Sequence, residues 1–391
     1  MTGILSSRRL YQKGFGSPPG QPDYPRVDIF PVPHSLISSL SAIPIPLLPS
    51  PDRKRWTILE SLPKAQMEQI ARNIVIDGKD PFLSRVPVGT FGDLTTVDRN
   101  EIESYQSIRN LMVEYLKNPR PDRPLCIAVF GPPGSGKSFG VTQLAKSIGA
   151  SSIEKLDFNL SQYSSPDDLI PAFHKIRDSV LRGKIPLVFF DEFDSPNLGT
   201  LGWLKYFLAP MQDGEFREGE STHPIGKGIF VFAGGICQTV REFSSNEKNP
   251  EGKSSEGEFQ QAKGTDFTSR LRGYVEIRGC NPQSPADHLA IIRRSMLLRS
   301  LLKRKFPEIF SPDGMARIDR GVLRAFLKVP EFRHGVRSIE AILDMSRLSG
   351  RLLFEQAALP PPDQLDLHVN AGYFMKLVVQ EVLFEGALEN L

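Results

Sequence analysis

The chain has 391 residues, 40% of them hydrophobic and 24% charged, with 48 Lys and Arg against 45 Asp and Glu for a formal net charge of +3. These values describe an ordinary globular chain of about two to three domains, too mildly basic to imply nucleic acid or an anionic membrane as partner. Cys126, Cys237 and Cys280 form no C-x-x-C pair, which argues against a zinc site or a disulfide framework and fits a reducing cytoplasm; no apolar run approaches the roughly 18 residues that cross a membrane.

Residues 1–55 read as a disordered leader, because its many prolines lack the N–H that helices and sheets require. Ile43-Pro44-Ile45-Pro46-Leu47-Leu48 is an apolar strip of a kind that docks extended in a partner's groove. Ser7-Arg8-Arg9-Leu10-Tyr11 faintly resembles a twin-arginine export signal, but Gln12 to Pro19 is not the apolar stretch that should follow. Export is not expected. Residues 56–96 form a small region of unknown role. It contains a helix over 65–76, with Met67, Ile70, Ile74 and Ile76 on one face, and a turn-rich connection over Pro87 to Gly92. The next helix, 98–117, is opened by Asp98 or Asn100 and carries an apolar stripe from Ile102 to Tyr115.

Leu125 to Phe130 is an apolar run of strand length. Residues 131–138 follow as G-P-P-G-S-G-K-S and lead into Phe139-Gly140-Val141, which fits the phosphate-binding pattern G-x-x-x-x-G-K-[ST] between a strand and a helix start. Gly131, Gly134 and Gly136 allow a tight curl that turns backbone N–H groups toward one point. Pro132, Pro133 and Ser135 complete the loop, Phe139 continues it, and the helix adds its N-terminal partial charge. The pattern implies a bound nucleotide. Lys137 reaches its β- and γ-phosphates, and Ser138 supplies a hydroxyl to Mg²⁺.

Helix and strand then alternate: strands over 153–158, 186–191, 228–233 and 274–277, and helices over 166–182 and 201–211. Strands apolar throughout in such an alternation predict a parallel sheet sandwiched by helices. Residues 244–265 are polar and read as a mobile insert. Beyond 285 the sequence turns all-helical, over 286–305, 318–328, 336–354 and 372–388. The division expected is an α/β core over 97–284 and a helical lid with C-terminal helices over 285–391. In the lid Arg293, Arg294, Arg299, Lys303, Arg304 and Lys305 read as a solvated face or a subunit contact; with no aromatic residues among them, nucleic-acid binding is not expected.

Leu187-Val188-Phe189-Phe190 is followed by Asp191-Glu192. A parallel strand delivers this pair to the sheet edge that holds the phosphate loop. Asp191 then belongs to the Mg²⁺ shell, and Glu192 orients and deprotonates the attacking water.

With a glutamate after the metal-binding aspartate and a helical lid after the sheet, residues 97–355 resemble the AAA+ ATPase superfamily of P-loop NTPases. The resemblance implies ATP and Mg²⁺ as ligands and a ring-like oligomer, plausibly a hexamer, that remodels a protein client. It also implies an arginine that completes the neighbouring subunit's site; Arg270 of Asp266-Phe267-Thr268-Ser269-Arg270-Leu271-Arg272 occupies that place, with Arg272 as runner-up. In Gly335-Val336-Arg337-Ser338, Arg337 matches the sensor-2 arginine that contacts phosphates from the lid, although Arg333 and His334 lie close. Where the family places an Asn or Thr near the attacking water, this chain has Gly235. Either Gln238 or Thr239 substitutes, or hydrolysis is slow.

Trp203 to Phe216 is similar to the segment before the fourth strand of Clp/Hsp100 unfoldases, where its apolar residues are expected to pack in the core. Tyr163 is either a pore residue or a tyrosine packed near a helix start. A nucleotide-gated scaffold that rarely hydrolyses is the alternative to an ATPase, favoured by Gly235 and opposed by Asp191-Glu192. A small-molecule kinase is disfavoured by the helical lid and the lack of an evident acceptor site.

Overall fold

The computed structural model describes Leu59, Leu83 and residues 62–78, 86–119, 121–149, 152–196, 201–244, 256–285 and 287–380. The proline-rich leader lies outside the described residues. A helix α1 (Lys64–Asp77) precedes a hairpin of β1 (Gly89–Phe91) and β2 (Leu94–Thr96), then α2 (Arg99–Lys117), β3 (Leu125–Phe130) and α3 (Lys137–Ser147). There follow β4 (Ile153–Asn159), α4 (Leu169–Leu181), β5 (Ile185–Asp191), α5 (Leu204–Gln212), and a second hairpin of β6 (Glu215–Glu218) and β7 (Ser221–Pro224). The α/β part ends with β8 (Ile229–Ala233), short helices α6 (Val240–Ser244), α7 (Glu256–Gln261) and α8 (Gly264–Thr268), and β9 (Gly273–Glu276). The helical part comprises α9 (Ala290–Lys305), α10 (Arg320–Lys328), α11 (Val336–Met345), α12 (Pro362–Leu365) and α13 (Ala371–Val379).

Five strands form an all-parallel sheet in the order β4-β5-β8-β3-β9. Successive side chains of a strand leave opposite faces, so β3 feeds two cores. Leu125, Ile127 and Val129 pack with Tyr105, Ile108 of α2 and Val141, Leu144 of α3. Cys126, Ala128 and Phe130 meet Phe173 of α4, Phe207 of α5 and Phe267 of α8 across the other face. The sheet sandwiched by helices is therefore present, and the apolar runs of β3, β5 and β8 are buried throughout because both faces are covered.

A third core belongs to the helical part and includes α1, whose Ile70 and Ile74 pack in one cluster with Leu298, Leu302, Phe326 and Phe374. Residues 64–77 are thus tied to the lid helices rather than standing apart. Asp98 is the cap of α2, its carboxylate accepting the N–H groups of Asn100 and Glu101.

Several boundaries differ from the sequence reading. The helix expected over 336–354 stops at Met345, where Ser346 turns extended and its hydroxyl donates to the Ile342 carbonyl. Of the expected 372–388 helix, residues 371–379 are helical and 381–388 lie outside the described residues. Of the insert expected over 244–265, residues 245–255 lie outside the described residues, but Phe259 packs against the core.

The basic cluster is a solvated face only in part: Lys303 and Arg304 are exposed, whereas Arg293 and Arg294 are buried. Arg293 is buried and paired with Asp287 at 2.6 Å. Arg294 is buried, lies over the Phe332 ring, and donates to the carbonyls of Cys280, Leu327, Val329 and Pro330. Burial pulls its pKa down to about 10, so it remains a cation at neutral pH. Arg299 donates to the carbonyls of Val75, Ile76 and Gly314, joining α1 to the lid. Arg304 pairs with Glu340 at 2.8 Å and Lys305 with Asp344 at 2.7 Å, both across to α11. Arg293 and Arg294 fasten the lid from inside, and Arg304 and Lys305 add ion pairs at its surface. Arg294→Met is expected to cost about 3 kcal/mol or more in urea unfolding, because it strands several buried carbonyls at once; a loss below about 1 kcal/mol would show that the carbonyls find other donors.

Candidate functional site

The C-terminal ends of the strands share one edge. Asn159 stands opposite Asp191, Asp191 opposite Ala233, and Val129 opposite Ala233. The loop 131–136 leaves β3 at this edge and closes on itself through Ser135 N–H to Pro132 carbonyl, 3.1 Å. Gly136, at φ +89°, caps α3, and a Cβ built there would meet nothing within 4 Å. Open space in front of a helix start is a place that can receive an anion. The Lys137 ammonium is folded back onto the carbonyls of Gly131 and Pro132, at 2.8 and 3.3 Å. Burial lowers its pKa, while Asp194 and Asp191 oppose the shift.

A cavity of about 510 Å³ opens here, lined by residues 133–139 of the loop and helix, by Asn159, Asp191, Glu192 and Gly235, and by Arg337 and Glu340 of α11. Its other end is bounded by Leu94, Thr95 and Thr96 of β2 and by Met296, Leu297 and Ser300 of α9. Glu101 lies buried beside it and accepts hydrogen bonds from Thr96 Oγ1 at 2.7 Å and Arg278 N–H at 3.1 Å. Burial, then Asp98, raises its pKa. Asp191 is likewise raised, by burial first and by the nearby Asp157 second. Among the described residues no group of three or more His, Cys, Asp or Glu could hold a metal. Mg²⁺ on a nucleotide needs none, since it binds through one or two protein oxygens plus phosphates.

Glu192 has φ +57°, in the left-handed region that costs a side-chain-bearing residue about 1–2 kcal/mol. It is held there by its N–H to the Ala233 carbonyl, 2.9 Å, and by the Ser195 N–H to its own carbonyl, 2.9 Å. Phe193 next to it is fully buried among Phe130, Phe232, Phe243 and Phe267, which anchors the bend. Asp194 is buried too, and its carboxylate accepts the N–H groups of Gly235, Ile236 and Cys237 at 2.7, 3.0 and 2.7 Å.

The sequence reading missed Asp194. Its signal was a third acidic residue in Asp191-Glu192-Phe193-Asp194, between aromatic and small neighbours where no solvated face was due. Neither proposed substitute for a side chain at Gly235 lines the cavity: the Gln238 N–H donates to the Glu242 carboxylate, and the Thr239 hydroxyl accepts the Glu242 N–H at the start of α6.

Arg337 is placed by the lid. The Val336 N–H donates to the Gly134 carbonyl at 3.0 Å, so the first turn of α11 rests on the phosphate-loop backbone. Arg337 faces the cavity, whereas Arg333 turns toward Asp366 at 3.8 Å. Arg270 is not brought to this cavity. It stands at the opposite edge of the sheet, two residues before Arg272, whose N–H bonds the Cys126 carbonyl; that is about 16 Å of strand from Gly131. Its guanidinium donates to Gln212 Oε1 and the Asp266 carbonyl. Arg272 is exposed nearby. Tyr163 packs edge-on against Trp203 at 6.1 Å, and Trp203, Leu204 and Phe207 are buried, so the apolar residues of this segment serve the core.

No protein-family model and no curated protein matches the chain. Among solved structures it is similar to the ORC2 protein of Aeropyrum pernix in its ADPNP-ADP complexes, at 12% identity and a TM-score of 0.41, covering 69% of this chain and 68% of that one. It is also similar to NtrX of Brucella abortus in complex with ADP, at 10% identity and a TM-score of 0.38, covering 76% of this chain and 59% of that one. Likeness at this level carries no argument about function.

The junction of loop and lid is directly testable. At Gly134, φ +72°, an added methyl would collide with the His334 carbonyl. Gly134→Ala is expected to free the first turn of α11, raising amide exchange at Val336 at least tenfold while the sheet amides stay protected. Unchanged exchange at Val336 would mean that the lid does not rest on the loop in solution.

Proposed function

We propose that the chain is a Mg²⁺-dependent ATPase of the AAA+ type, whose hydrolysis moves the helical lid against the α/β core within an oligomer that remodels a protein partner. One observation carries this reading: Lys137, Ser138, Asp191, Glu192 and Arg337 line a single cavity at the strand ends. The open space at Gly136 fits a phosphate group, and the donor set of hydroxyl and carboxylate fits a hard divalent cation.

Ser138 and Asp191 would hold the Mg²⁺, which when bound neutralises charge on the β- and γ-phosphate oxygens. Lys137 exchanges its carbonyl partners for phosphate oxygens, and the open amides before α3 receive the rest of the charge. Glu192 accepts a proton from the attacking water. Arg337 binds the same phosphates from the lid, so loss of the γ-phosphate loosens a contact between two bodies of the molecule. Arg270 acts on a neighbouring subunit's phosphates once it leaves Gln212 and Asp266, which makes turnover depend on assembly.

A second reading, a nucleotide-gated scaffold with little hydrolysis, is favoured by Gly235, which brings no side chain to the water. Steady-state ATP turnover against protein concentration separates the two. For the ATPase, turnover per chain rises with concentration, and Glu192→Gln and Arg270→Ala each lower it by about a hundredfold or more while nucleotide still binds. Native turnover no faster than that of Glu192→Gln leaves the scaffold. Burial raises the pKa of Asp191 in the empty site, and a cation on the carboxylate competes with that proton. The acid limb of turnover should therefore move to lower pH as Mg²⁺ is raised. An acid limb that does not respond to Mg²⁺ would remove Asp191 from the metal shell.

A further inference from the structure

Asp194 is two residues beyond Glu192, is buried, and spends its carboxylate on three consecutive backbone N–H groups, those of Gly235, Ile236 and Cys237. Few arrangements fix a loop more firmly, since each bond is charge-assisted and all converge on one group. The fixed loop lies against Glu192. A Cβ built on Gly235 would stand 2.7 Å from Glu192 Cγ and 3.2 Å from its Cβ. The glycine is therefore required by the glutamate beside it.

We propose that Asp194 is the positioning residue for Glu192: by stapling residues 235–237 it holds the bare Cα of Gly235 against the glutamate's methylene and so restricts where the Glu192 carboxylate can point. Glu192 enters this arrangement with its backbone already turned, at φ +57°, and tied to Ala233. One wall is the bent strand end, and the other is the stapled glycine loop. Position 235, where a water-placing side chain was expected, serves packing in this chain. Orientation of the general base takes the place of a second polar group.

The inference rests on hydrolysis as proposed above, with Glu192 as base. Its test uses the full chain and three variants: Gly235→Ala, Asp194→Asn and Glu192→Gln. ATP turnover, ATP affinity and amide exchange across 234–237 are measured together. Gly235→Ala is expected to lower kcat at least tenfold with ATP affinity changed by less than about threefold and the loop amides still protected. Asp194→Asn is expected to lower kcat comparably and to raise exchange at 235–237 at least tenfold. A role of Asp194 in folding alone would move exchange without the matching kcat loss in Gly235→Ala. Native turnover well above Glu192→Gln, together with near-native kcat in Gly235→Ala, overturns the positioning role while hydrolysis stands. Native turnover equal to Glu192→Gln overturns both.

Discussion

The site depends on two backbones meeting where neither can carry a side chain. Gly134 in the phosphate loop and Gly335 before α11 approach until the Val336 N–H reaches the Gly134 carbonyl, and a Cβ on Gly335 would press within 3.0 Å of the Pro133 carbonyl. Both glycines have positive φ, at +72° and +58°, so the approach and the local turn demand the same residue. A lid anchored by side chains alone would leave Arg337 on a long tether. Anchored through backbone, the first turn of α11 sets where that guanidinium starts, one residue from the contact.

That anchor would carry little if the lid were soft. Arg294 and Arg299 make it stiff by an unusual route for a helical subdomain: one buried and one half-buried cation, each shared among main-chain carbonyls of several segments. Carbonyls left at helix ends and in loops need donors, and a guanidinium supplies five in a planar fork. Arg299 extends the same network to the carbonyls that end α1. Residues upstream of the sheet are thereby coupled to the part proposed to move. The lid and α1 are one packed unit, so a displacement of α11 is transmitted to α1 rather than absorbed between them.

The sheet and phosphate loop were legible because their signals are local. Runs such as Leu125 to Phe130 are buried on both faces, and no ordinary loop has a reason to place three glycines before Lys137. Asp98 declared itself as a cap by its place before a helical stripe. What stayed hidden involves partners distant in sequence. Arg294 looks like surface charge on any helical wheel, and the carbonyls of 327–330, more than thirty residues on, help make its burial tolerable. Asp194 was opaque for the same reason, since its partners lie some forty residues away. Gly235 was legible as a departure, but the reason for it, Glu192 pressing on its Cα, required the two strand ends to be laid side by side.

Glu192 itself joins these threads. A glutamate in the left-handed region is tolerated only where its surroundings over-determine it, and those of Glu192 do: the Ala233 carbonyl before it, Ser195 after it, and Phe193 fixed in an aromatic cluster beneath. Strain of this kind persists against relaxation because each neighbour is itself buried and packed at interior density. The bend turns the side chain across the sheet edge instead of along the strand. A residue following Asp191 in regular strand geometry would project to the face opposite Asp191. The left-handed step cancels that alternation, and both carboxylates line one cavity. Two adjacent acids can then take different roles, with Asp191 partly buried and near Asp157, and Glu192 against a glycine with room at its end. Environment, more than residue type, would separate the proposed metal ligand from the proposed base.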